Sequence, residues 1–219
     1  MLGPVLAWAS DVLSVRGPWR AGFSVPSRRR PWQVDRLSVT CGLLDAALAV
    51  AATLRWGSSV TTVAYAALFS VLVVVAVIDT AQSRIPDRIT FPAMAAAAVV
   101  VIAAACWSGR FDRLAAAAVG GLSMWGGLGA AHLASPRGLG RGDVKLGAVL
   151  GIAIGWAAST VAATLRASLF AFLVASLIGT AIGLVLLVRR GRSEPYPFGP
   201  ALIAGAVVVM LASGSAPFA

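Results

Sequence analysis

The stretch Val60-Thr-Thr-Val-Ala-Tyr-Ala-Ala-Leu-Phe-Ser-Val-Leu-Val-Val-Val-Ala-Val-Ile-Asp79 meets its first charge only at its last residue. It is too long for a strand and shows no period-two alternation, so it reads as a helix. At 1.5 Å per residue, a helix of about 20 residues matches the hydrocarbon thickness of a bilayer. Working outward, comparable apolar stretches predict helices over 38–55, 60–79, 91–107, 114–134, 143–157, 166–188 and 199–214. The fold class expected is all-α: a polytopic integral membrane helix bundle of about seven transmembrane helices, with six as the alternative count.

Composition points the same way. Of 219 residues, 59% are apolar and 12% charged, and the mean hydropathy is +0.88. Soluble domains carry about 25% charged residues. A disordered tail, a collagen-like fibre and a disulfide scaffold are excluded, and too few polar side chains exist to cover a water-soluble globule. Cys41 and Cys106 both sit in apolar stretches with no CxxC pair and read as small buried core residues. With His132 the only histidine, a closed zinc site is not expected.

The net charge is +10. In a soluble protein that excess suggests nucleic acid. In so apolar a chain it reads instead as a basic cytoplasmic face against membrane lipid, with no nucleic-acid partner. Placing the N-terminus in the cytoplasm puts Arg16, Arg20, Arg28, Arg29, Arg30, Arg36, Arg84, Arg88, Arg137, Arg141, Lys145, Arg189, Arg190 and Arg192 inside. Only Arg55, Arg110, Arg113 and Arg166 then fall outside. This split of 14 to 4 among the 18 basic residues favours seven spans, N-terminus inside and C-terminus outside.

Residues 1–37 differ from the rest, with Pro4, Pro18, Pro26, Pro31, three tryptophans and the run Arg28-Arg29-Arg30. They read as a cytoplasmic or membrane-surface segment, and residues 38–219 as the transmembrane domain. Met1–Ala9 is apolar, but the basic residues follow it, so it does not read as a cleavable signal peptide.

Eight acidic residues are present. Asp79 falls at the cytoplasmic end of the second predicted helix and Asp143 at the cytoplasmic start of the fifth. The topology therefore puts two carboxylates at one membrane depth on one side, and such groups are costly and usually functional. Alone, Asp143 also reads as an ordinary N-cap and Asp79 as an interface residue. Asp45, about two turns inside the first helix, reads as a structural polar contact. Gly147, Gly151 and Gly155 follow Asp143 at steps of four, on one helix face. Such a small-residue face lets a neighbouring helix approach closely and turns Asp143 away from lipid.

Three segments resemble motifs of the type IV prepilin peptidases, membrane aspartic proteases of the GxGD type. Asp79-Thr-Ala-Gln-Ser-Arg-Ile85-Pro86-Asp87 resembles their first aspartate motif. Gly140-Arg-Gly142-Asp143-Val-Lys145-Leu resembles the second, and Pro197-Phe198-Gly199-Pro200 the segment opening the last helix. The resemblance covers about residues 65–215. It implies an aspartic endopeptidase that removes the basic leader from prepilins, with Asp79 and Asp143 catalytic. Gly140, Gly142, Lys145, Ile85, Pro86, Asp87, Pro197, Phe198, Gly199 and Pro200 would shape the site or bind substrate. No metal and no organic cofactor is implied. The lack of CxxC pairs makes the chain similar to short forms linked to Flp/Tad-type pili and places methyltransferase activity in doubt. Prepilin-like substrates, pilus-assembly partners and a bacterial cytoplasmic membrane location follow from the same resemblance.

The chemistry is sensible on the residues. Two adjacent carboxylates cannot both ionise cheaply and share a proton. The ionised one takes a proton from water and the protonated one donates to the scissile carbonyl. The sequence does not say which is which. Gly140 and Gly142 are expected to permit unusual backbone conformations, and 138–142 to be a mobile loop. The competing reading is a transporter with Asp45, Asp79 and Asp143 as ion or proton sites, although a carrier site belongs near the midplane.

Overall fold

The structure, a computed structural model, describes residues 36–57, 60–82, 87–136, 138–190 and 197–213. Residues 1–35 of the surface segment expected over 1–37, and Ile85 and Pro86, lie outside the described residues. The described residues form seven α-helices and no strand: α1 (Arg36–Trp56), α2 (Val60–Gln82), α3 (Asp87–Ser108), α4 (Asp112–Ala134), α5 (Arg141–Ala158), α6 (Val161–Arg190) and α7 (Gly199–Ala212). Two compact units result, Met1–Ala81 and Gln82–Ala219.

In the first unit, α1 ends where Gly57 turns left-handed at φ +68° and its N–H caps Thr53 O at 2.8 Å. Trp56 then stacks on Tyr65 of α2 at 4.6 Å between ring centroids, and Tyr65 meets Phe69 edge-on. Lower in the pair, the Ser70 hydroxyl donates to Asp45 Oδ1 at 2.7 Å. This is the polar contact expected of Asp45, which is otherwise costly among apolar side chains.

In the second unit, α5 is the hub, packing on α3, α4, α6 and α7. Its glycines explain how. A Cβ at Gly151 would overlap the Gly120 carbonyl of α4, one at Gly155 the Ala116 carbonyl, and one at Gly147 the Leu128 side chain. The close approach expected of this face is therefore present, and α4 is the neighbour, answering with its own Gly120 and Gly121. A second such crossing joins α7 to α6, where Gly205 sits against Ala171 and Ala175.

Among the described residues, four helices contain stretches long and apolar enough to cross a membrane: α1, α2, α4 and α6; α7 and Ala97–Trp107 of α3 are shorter apolar segments. Leu43, Leu54, Val63, Leu122, Leu133, Leu169, Phe170 and Val188 project outward from these helices. That arrangement suits lipid and would be an aggregation hazard in water. By contrast α5 carries Arg141, Asp143 and Lys145 and buries most of its length in protein.

Several expectations change. α6 begins at Val161 rather than 166 and runs 30 residues, about 45 Å at helical rise, longer than a bilayer core. Arg166, expected as the first residue of this helix on its outer end, therefore lies five residues inside it. α3 begins at Asp87, four residues before the expected start, so Pro92 falls inside it; neighbouring helices can compensate for the lost hydrogen bond. Arg113, expected in an outer loop, is the second residue of α4 and 1% exposed, its guanidinium 5.9 Å from the Trp156 ring centroid. Cys41 is buried as expected, but Cys106 is exposed, because it faces away from the neighbours of α3.

Candidate active site around Asp143

The approach to Asp143 begins at the end of α4. Ser135 N–H caps Ala131 O at 2.9 Å, and Ser135 O accepts from Gly138 N at 3.0 Å and Leu139 N at 3.3 Å. The turn is tight enough that a Cβ at Gly138 would stand 2.9 Å from Ser135 Oγ. Gly140 is then the N-cap of α5. Asp143, three residues on, returns its side chain, and its Oδ2 accepts the Gly140 N–H at 3.1 Å. This is the carboxylate half of a capping box. Capping and burial coexist here: Asp143 is 7% exposed.

The glycines contribute differently from what was expected. Gly140 has φ −75° and ψ 150°, a conformation open to any residue. Gly142 lies within the first turn of α5. What Gly140 supplies is space, since a Cβ there would stand 3.3 Å from Asp143 Oδ2. Nor is 138–142 a loose loop, because hydrogen bonds tie Gly138, Leu139 and Gly140 and the remainder is helix.

A groove of about 450 Å³ opens beside this turn, lined by Trp125, His132 and Leu133 of α4 and by Arg141, Val144 and Lys145 of α5. It brings the two basic residues of the motif to one apolar wall. Pro197 and Phe198 lead into α7, with Phe198 as its N-cap, Gly199 buried and Pro200 in the first turn, where a proline lacks nothing the helix needs. α7 packs on α5, so this motif and Asp143 belong to one packed helix pair.

Asp79 belongs to the other unit. It lies in the last turn of α2, inside the helix rather than at its end, because Thr-Ala-Gln contains no helix breaker. It is 3% exposed. Asp87 is the first residue of α3.

Sequence reasoning missed His132, whose Nδ1 lies 2.7 Å from Leu139 O, and the facing glycines Gly120 and Gly121. Its standing as the lone histidine was the available signal.

Fold and site together define a helical membrane protein with a buried acid at the head of the hub helix of its second unit. Residues 66–184, more than half of the chain, match the type IV leader peptidase family, and the chain belongs to it. It is thus an aspartic peptidase of the membrane, and its family's substrates are prepilins. The match includes both aspartate motifs and stops short of Pro197–Pro200. Neither curated proteins nor solved structures provide a match.

Proposed function

We propose that Asp79 and Asp143 form the catalytic pair that cleaves the basic leader from prepilins of the Flp/Tad type at the cytoplasmic face of a bacterial membrane. In this reading seven spans place the N-terminus inside and bring both residues to one membrane edge. The observation that carries it is the state of Asp143: an acid buried at the head of the hub helix, inside the Gly140–Lys145 motif. Burial of an acid in so apolar a chain is costly and calls for a function.

The reaction needs one carboxylate to accept a proton from water while the other donates to the scissile carbonyl. Tetrahedral collapse then returns a proton to the departing amine. Lys145 and Arg141, on the apolar groove beside the turn, suit contact with headgroups or with the substrate at the membrane edge. Gly140, Gly142, Ile85, Pro86, Asp87 and the Pro197–Pro200 segment would shape the cleft that accepts the unwound substrate.

The test is co-expression with a candidate prepilin, read as a leader shift on a gel. Asp79→Asn and Asp143→Asn should each abolish processing while the protein still inserts. Near-full processing by either variant would overturn the pair.

A further inference from the structure

We propose that His132 is a positioning residue for Asp143, acting through the peptide group between Leu139 and Gly140. The proposal rests on the reading of Asp143 as catalytic.

Two hydrogen bonds carry it. His132 Nδ1 lies 2.7 Å from Leu139 O. A carbonyl oxygen only accepts, so Nδ1 bears a proton and donates it to Leu139 O. Gly140 N–H donates to Asp143 Oδ2 at 3.1 Å. The Leu139 carbonyl and the Gly140 N–H are the two polar ends of a single peptide group. That group is planar and trans, so its C=O and N–H point in opposite directions. The imidazole therefore holds one edge of a rigid plate whose other edge holds the carboxylate. Donation to the carbonyl also polarises the group and strengthens its N–H as a donor.

Ser135 O secures Gly138 and Leu139 from the α4 side, and the glycine contacts between α4 and α5 hold His132 and Asp143 on two closely packed helices. The 139–140 peptide is bonded at its carbonyl to the His132 side chain and at its N–H to Asp143 Oδ2. Gly140 lacks the Cβ that would crowd Oδ2. A carboxylate that exchanges protons with water must be held closely in place, since small misplacements of a catalytic group cost rate.

The experiment uses the full chain purified in detergent. The substrate is a synthetic prepilin-type peptide: a basic leader, a glycine and an apolar segment. His132→Phe should lower kcat about tenfold, the worth of roughly one hydrogen bond, with KM changed less than about twofold. His132→Asn places an amide N–H where Nδ1–H stands and should hold kcat within about threefold of the original. His132→Gln reaches the Nε2 position instead and should fall with the Phe variant. Unchanged kcat in His132→Phe, or equal activity of the Asn and Gln variants, would overturn the proposal. If the Phe variant does not fold, the Asn–Gln comparison decides alone. Asp143→Asn is run alongside. An active Asp143→Asn defeats the catalytic reading, whereas an inactive one beside a fully active His132→Phe defeats only the role of His132.

Discussion

Asp143 stands where a helix has N–H groups and no helical partners for them. Its side chain takes the Gly140 N–H at 3.1 Å, and Gly140 leaves room for that return because it has no Cβ. Gly140→Ala should therefore disturb the acid without disturbing the helix. A methyl 3.3 Å from Oδ2 obliges the carboxylate to shift by a few tenths of an ångström. We expect a several-fold drop in leader processing at unchanged protein level, on the order of tenfold at most, read by the same gel assay. The two aspartates stand out in the sequence because acids are scarce in so apolar a chain, and each sits beside a motif. The bond from His132 does not, because its partner is a backbone carbonyl, which residue identity does not mark. Arg113 misled for a related reason. A charge bordering an apolar run reads as a loop residue, and only packing reveals the Trp156 ring beside it.

At the scale of elements, α4 and α5 meet backbone to backbone through glycine and alanine. No side-chain rotation can accommodate a Cβ at Gly151, since it would strike the Gly120 carbonyl. Gly151→Ala should separate the helices and lower stability by about 1–3 kcal/mol, as overpacking does. Gly151→Leu should prevent accumulation of folded protein. Gly126→Ala is the control, because its Cβ would meet nothing within 4 Å. Thermal unfolding in detergent would separate these outcomes. The existence of all seven helices was legible, because each apolar run is long and bounded by charge, proline or glycine. Their ends were not: α2, α3 and α6 each extend beyond the apolar run, because polar residues such as Thr80 and Gln82 continue a helix where no breaker intervenes.

At the scale of the molecule, the exterior of the long helices is apolar and the charges gather at one end of the hub, as lipid demands. The topology proposed here puts the end of α3 on the outer side. Cys106 is exposed near that end, while Cys41 is buried in α1. A membrane-impermeant maleimide applied to spheroplasts should label Cys106, and Cys106→Ser should abolish the signal, leaving Cys41 silent. Labelling only after the membrane is opened would reverse the orientation.

Helical class, membrane residence and family are written in the order of residues, because each depends on hydropathy run length or on a local motif. Which helix becomes the hub, which glycines meet across it, and which group holds the peptide beside Asp143 emerged only on folding. Those features join residues distant in the chain through backbone atoms, and every residue has the same backbone.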